Sequence, residues 1–172
     1  MLIPAITAVG EKFEKKEYYL PQLLQSAEAM KAAMAELEPL LLENKARSAD
    51  DPVFVLATVQ GDIHDIGKNI FALLLRNHGF NVIDLGKDVP AETILAAAKE
   101  HHAAVVGLSA LMTTTMPRMR EVVELFQSEG LDIPVCVGGA AVDEEFAKSI
   151  GAHYGSDAMS SVKLALKLVK KS

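Results

Sequence analysis

Residues 53–70 read VFVLATVQGDIHDIGKNI, an apolar run followed by a glycine, a histidine set among aspartates, and a second glycine with a lysine. An apolar run this short and rich in β-branched residues is expected to be a strand buried on both faces. The polar segment after it is then the loop at the carboxyl end of that strand, opening a helix near 67–78. The same alternation recurs down the chain. The runs NVIDL (81–85), AAVVGLSAL (103–111), IPVCVGG (133–139) and the weaker AHYG (152–155) are interleaved with helical stretches near 91–101, 115–129, 143–150 and 158–170.

Strand and helix in alternation predict an α/β domain, a parallel sheet with helices on both faces. Five such units match a flavodoxin-like (Rossmann-like) winding, in which ligands bind beyond the carboxyl ends of the strands where the strand order reverses. That rule selects Asp62, His64 and Gly67 after the first run, Ser109 to Thr115 after the third, and Gly138 and Gly139 after the fourth. Polar groups and glycines gather at one edge of the expected sheet.

Upstream the period changes. Leu20, Leu23, Leu24, Ala27, Met30, Met34, Leu37 and Leu41 fall at steps of three and four and predict a long amphipathic helix, with a kink at Pro39. A shorter helix precedes it, with Leu2, Ile3, Ile6, Val9 and Phe13 on one side. Two helices with apolar stripes cannot close a bundle alone. The expectation is that the remaining helices have been removed or that another chain supplies them. The division expected is a partial helical cap over 1–45, a polar linker over 46–52 and the α/β domain over 53–172.

Half of the 172 residues are apolar, enough for one ordinary core plus a small appendage. The formal charge of -6 and the pI near 5.4 leave no extended basic surface, which argues against nucleic acid as the main partner. The single cysteine, Cys136, lies in an apolar run and is expected to be a core residue with no disulfide. No run approaches the roughly 20 residues needed to span a bilayer. The N-terminus lacks the pattern of a signal peptide, so the expected location is cytoplasmic.

Three loop chemistries compete. Gly61 and Gly67-Lys68 are reminiscent of a phosphate-cradling loop, but the spacing has one residue too many, and Asn69 stands where a hydroxyl residue should hold magnesium. Asp62 and Asp65 would also repel phosphate. A phosphoryl-accepting receiver needs an aspartate ending the third strand, where this sequence has GLSAL. A zinc site wants three or four ligands, and His64 with Asp62 or Asp65 supplies only part of one. His78, His101, His102 and His153 are read as ordinary surface histidines.

On the residues alone His64 is either a loop histidine bonded to a neighbouring aspartate or a ligand. Asp62 and His64 are two apart, which in an extended loop puts both side chains on one side. The carboxylate can then accept the proton of one imidazole nitrogen and leave the other as a lone-pair donor, the arrangement of a carboxylate orienting a metal-binding histidine. With one strong protein ligand, any metal must arrive with its other ligands supplied, as in a macrocycle. Gly67 would let a bulky group approach the backbone closely.

Asp62-Ile63-His64-Asp65-Ile66-Gly67 resembles the Asp-x-His-x-x-Gly signature of cobalamin-binding domains, and Ser109-Ala110-Leu111 and Gly138-Gly139 resemble its two companion motifs. VGEKFEKKEYYLPQLLQSAEAMK (9–31) is similar to the second half of the helical cap that precedes this domain in cobalamin-dependent methionine synthase and in corrinoid proteins of methyltransferase systems. The resemblance implies a cobalamin or related corrinoid, such as methylcobalamin, with cobalt ligated from below through His64. Asp62 would hold and tune His64, and the hydroxyl of Thr115 would complete the relay, so Asp62, His64 and Thr115 are the expected catalytic set. Asp65, Ile66 and Gly67 would join them in binding the cofactor. Ser109, Leu111 and Thr113 would line a slot for its nucleotide tail, with Gly138 and Gly139 leaving room for it. Phe13 and Leu20 match cap residues that shield the upper face.

The function implied is a methyl-carrier module that accepts a methyl group on cobalt and passes it on within a methyltransferase, without being catalytic alone. Its expected partners are the methyl-donor and methyl-acceptor methyltransferase domains or subunits and a reactivation partner, with self-association through the incomplete cap. The first half of the cap and the substrate-activating domains of methionine synthase are missing, so a piece of something larger is also expected. Rivals are a mutase subunit, which normally lacks such a cap, and a cobalamin-binding regulatory or photosensory module, which needs a DNA-binding segment. A flavodoxin-like interaction domain without cofactor is the third.

Overall fold

The structure, a computed structural model, describes residues 2–42 and 51–170. The side chain of Leu20 and most of the linker expected over 46–52 lie outside the described residues. The chain divides into two compact units, Met1–Asn44 and Lys45–Ser172.

The first unit is a helical hairpin of α1 (Leu2–Glu14) and α2 (Leu20–Leu42). The turn between them closes α1 through its own backbone: Lys16 takes the left-handed conformation at φ 60°, Glu17 N donates to Lys12 O at 2.9 Å and Lys16 N to Phe13 O at 3.0 Å. This is a Schellman closure with lysine in the usual glycine place. Gln22 then reaches back to accept from Tyr19 N at 3.1 Å, satisfying a donor at the start of α2. The helix runs through Pro39 as one element.

The second unit holds five strands, β1 (Val53–Thr58), β2 (Asn81–Asp84), β3 (Val105–Ser109), β4 (Val135–Gly138) and β5 (His153–Tyr154). They alternate with α3 (Ile66–Asn77), α4 (Ala91–Glu100), α5 (Met116–Ser128), α6 (Glu144–Ser149) and α7 (Ala158–Val169). All pairings are parallel and the order is β2-β1-β3-β4-β5, the flavodoxin-like winding expected. The order reverses between β1 and β3, and in folds of this winding ligands bind at the carboxyl edge of that switch point.

The period-two alternation of the strands divides the core between the two faces. Phe54 and Leu56 point to one side, with Ala72 and Leu75 of α3 and Val162 and Ala165 of α7. Val55, Ala57 and Val59 point to the other, against Ile94 of α4 and Val122 and Phe126 of α5. Gly107 in β3 belongs to this packing, because a Cβ there would stand 2.6 Å from Phe54 Cε1. Phe54 in turn meets Phe71 and Phe80 edge-on at 5.5 and 5.8 Å. Each fully buried side chain of this size contributes about 1.5–3 kcal/mol. Cys136 is buried in the first of these clusters, and burial pushes its thiol up to about 12. No helix among the described residues is long and apolar enough to cross a membrane.

Candidate functional site

The carboxyl edge aligns two expected residues in one register with the end of β1, Thr58 being paired to Ser109 and Ser109 to Gly138. Beyond Thr58, Val59 N still donates to Ser109 O, at 3.1 Å, and then the chain turns. Asp62 N donates to Val59 O at 3.1 Å across a turn whose third residue is Gly61 at φ +82°, a conformation that favours glycine. The turn drives Asp62 inward, where it is fully buried.

A buried carboxylate costs several kcal/mol unless its oxygens are bonded. Here both are. Oδ1 accepts from His64 N at 3.0 Å and from the His64 ring at Nδ1, 2.7 Å away. Oδ2 accepts from Leu111 N at 2.7 Å, Met112 N at 3.3 Å and the Thr115 hydroxyl at 2.9 Å. Burial by itself would raise the Asp62 carboxyl. The donors from His64, Leu111 and Thr115 together outweigh it and hold the group well below the usual carboxylate range. Asp62 therefore stays charged and ties the loop after β1 to the loop after β3 across the switch point.

His64 is fixed by this arrangement. Its carbonyl accepts from the Thr58 hydroxyl at 3.2 Å, and its side chain is 48% exposed. Because a charged carboxylate can only accept, the neutral imidazole carries its proton on Nδ1 and presents a lone pair at Nε2, for which no described residue provides a hydrogen bond. Among the described residues no group of three or more His, Cys, Asp and Glu is placed to hold a metal ion. Nε2 could serve as a ligand only to a metal whose other positions are filled by something else.

The surroundings suit a large, largely apolar ligand. Ile63 is 63% exposed, and Leu111 and Met112, whose amides bond the carboxylate that holds His64, are also exposed, so the two loops that meet at Asp62 present apolar side chains to solvent. Gly67, second residue of α3, faces open space: a Cβ there would meet nothing within 4 Å. The fold does not require glycine at this position.

The other expected residues fall as follows. Asp65 stands at the N-cap of α3 without a side-chain capping bond, and Ile66 begins that helix half-buried. Thr113 is exposed in the turn before α5, whereas Thr115 is buried at that helix's N-cap. Phe13 is exposed on α1. Gly138 and Gly139 have a reason internal to the fold. A Cβ on Gly138 would stand 3.0 Å from Gly155 O, and one on Gly139, at φ +128°, would collide with the Ala110 carbonyl. The backbone of the loop after β4 therefore demands glycine at 139, whatever ligand borders it, while at 138 a side chain is tight against the Gly155 carbonyl.

The sequence alone does not single out Asp84 or Asp88, and Lys68 enters there only as part of the rejected phosphate loop. Lys68, buried in the first turn of α3, places Nζ 2.6 Å from both carboxylate oxygens of Asp84 and 2.8 Å from Asn69 Oδ1. Asp88, in the loop after β2, accepts from Gly61 N at 2.7 Å. Their partners lie 16 and 27 residues away, so no local pattern exposes them.

Comparison with known proteins covers both units of the chain. A family model described as B12 binding domain matches residues 52–163, and a second model with that description matches residues 1–38. Dimethylamine corrinoid protein 3 of Methanosarcina mazei is 43% identical over 164 residues, covering 94% of this chain and 98% of that protein. The solved structure of the Methanosarcina barkeri monomethylamine corrinoid protein superposes with a TM-score of 0.85 at 35% identity, over 97% of this chain and 80% of that one. A chain in the methanol:cobalamin methyltransferase complex of Methanosarcina barkeri superposes with a TM-score of 0.71 at 34% identity, over 99% of this chain and 66% of that one.

Proposed function

This chain belongs to the B12 binding domain family, and from that premise we propose that it is a corrinoid-carrying protein that shuttles a methyl group between partners of a methyltransferase system. The observation that carries the proposal is the buried Asp62 carboxylate 2.7 Å from His64 Nδ1, which turns the Nε2 lone pair toward a half-exposed surface edged with apolar side chains.

The residues fit the group. His64 would hold the corrinoid through Nε2, and Ile63, Leu111 and Met112 would offer it apolar surface. Gly67 would leave room for its bulk. Ser109 and Thr113 would line the path of the nucleotide tail, with Gly138 and Gly139 bordering it. When bound, the corrinoid supplies a cobalt centre able to accept and release a methyl group. The chain's own part is to set how strongly His64 binds. Asp62, kept charged by Leu111 N and Thr115, strengthens the imidazole as a donor and fixes its orientation.

In this reading the partners are a methyl-donor methyltransferase and an acceptor methyltransferase, with a reactivation partner. Phe13 and Leu20 keep the shielding role that their match to cap residues implies, and the helical hairpin would complete its bundle by pairing with a second copy. The cytoplasm is the expected compartment. The test is reconstitution: apoprotein incubated with methylcobalamin and passed through gel filtration should retain one corrinoid per chain, with a visible spectrum of histidine-ligated cofactor. Protein that emerges colourless overturns the reading.

A further inference from the structure

Asp88 takes the left-handed backbone conformation at φ 56°, which side chains rarely adopt and which aspartate and asparagine tolerate better than most. It lies in the loop between β2 and α4, is exposed, and takes no part in either core cluster. A strained exposed residue persists when its surroundings hold it there. What holds it is the turn that aims Asp62. Asp88 Oδ1 accepts from Gly61 N at 2.7 Å, and Asp88 N donates to Asp62 O at 3.0 Å.

The same residue thus grips two successive members of the turn, one through its side chain and one through its backbone. Its neighbours grip the strand end before it: Gly86 O accepts from Thr58 N at 2.9 Å and Val89 N donates to Thr58 O at 3.1 Å. Within this set the Asp88 carboxylate makes the one side-chain bond, and it falls on Gly61, whose positive φ sets the direction of the turn. Freed from Asp88, Gly61 has many other conformations open to it. Each of them would move the Asp62 carboxylate relative to the amides of Leu111 and Met112, and His64 with it.

We propose that Asp88 is a positioning residue that holds the Val59–Asp62 turn in the one conformation in which His64 faces the corrinoid. It thereby governs the fraction of bound cofactor that carries His64 as its lower ligand. The proposal rests on the corrinoid reading above, and it concerns a residue whose bonds go to Gly61 and Asp62 rather than to His64.

The test uses the full chain and three variants. Asp88→Asn keeps an acceptor oxygen and tolerates positive φ; Asp88→Ala loses the acceptor and keeps the strain; Asp88→Gly loses the acceptor and relieves the strain. In the apoprotein, hydrogen exchange of the Gly61 amide should speed up tenfold or more in Asp88→Ala and Asp88→Gly and stay near wild type in Asp88→Asn. After loading with methylcobalamin, Asp88→Ala and Asp88→Gly should show a mixed spectrum with a histidine-off component that wild type and Asp88→Asn lack. Asp88→Gly separates positioning from stability, because relief of strain should keep its thermal midpoint at or above that of Asp88→Ala while its spectrum stays mixed. If wild type takes up no cobalamin, the corrinoid reading itself falls and the proposal with it. If wild type is histidine-ligated and the Asp88→Ala and Asp88→Gly spectra are identical to it, only the role of Asp88 is overturned.

Discussion

Thr115 Oγ1 lies 2.9 Å from Asp62 Oδ2, and Asp62 Oδ1 lies 2.7 Å from His64 Nδ1, so a buried hydroxyl reaches an exposed imidazole through one carboxylate. The charge on Asp62 is what Thr115 stabilises, and the apoprotein's response to acid should reveal it. Asp62 is held below its ordinary range in the folded state. Its contribution to stability is therefore complete above the unfolded value, near pH 4, and is lost as the pH falls through the lower folded value. Thr115→Val removes a hydrogen bond to a charged group, worth about 1.5–3 kcal/mol, and should make the loss on acidification shallower, whereas Thr115→Ser should match wild type. Urea unfolding of the apoprotein from neutral pH down to about pH 1.5 checks this, because the two proteins diverge only as the pH nears the folded value. Equal acid dependence in wild type and Thr115→Val would contradict it.

The Lys68–Asp84 pair supports a second expectation. Lys68 is almost fully buried, while the Asp84 side chain is 22% exposed. Removing one partner of a buried pair costs about 3–5 kcal/mol, and the partial solvation of Asp84 puts Lys68→Met at the lower end of that range. The double variant Lys68→Met with Asp84→Asn leaves no unpaired charge and should recover part of the loss. Denaturant midpoints of the two variants measure this, and a double variant no more stable than the single one would rule out the pairing as the cause.

Gly67 separates the needs of the fold from those of a ligand. A methyl group there meets nothing in the apoprotein, and alanine is the better helix former by up to about 1 kcal/mol, so Gly67→Ala should fold at least as well as wild type. Cobalamin affinity should nonetheless fall, and fall further in Gly67→Val. Titration calorimetry with hydroxocobalamin gives the comparison. Unchanged affinity in Gly67→Val would place the ligand elsewhere.

The sheet was legible because its strands are buried on both faces and read as short apolar runs. Even the two-residue β5 left a trace in AHYG, though too weak to show how short it is. The closeness of Asp62 to His64 follows from their spacing of two. The grip of Leu111 N, Met112 N and Thr115 on Asp62 spans about 50 residues and follows from the topology alone, once the loops after β1 and β3 are known to meet. Lys68 and Asp88 were hidden for the same reason: each is defined by a distant partner, and Lys68 looked like the remnant of a failed phosphate loop. Gly139 taught the opposite lesson. Its motif position suggested room for a ligand, while its φ of +128° and the Ala110 carbonyl show a backbone that would need glycine in any case.

The central claim, that His64 Nε2 is the lower ligand to cobalt, is tested most directly by electron paramagnetic resonance of protein loaded with cobalamin and reduced to the cobalt(II) state. A coordinating nitrogen splits the cobalt lines into triplets, and incorporating histidine labelled with heavy nitrogen should turn those triplets into doublets. Asp62→Asn should keep the splitting with altered magnitude, and His64→Ala should lose the protein-derived splitting altogether. Triplets that ignore the histidine label, or that survive unchanged in His64→Ala, would show that the cofactor's own base or another group is bound and would contradict the assignment of His64.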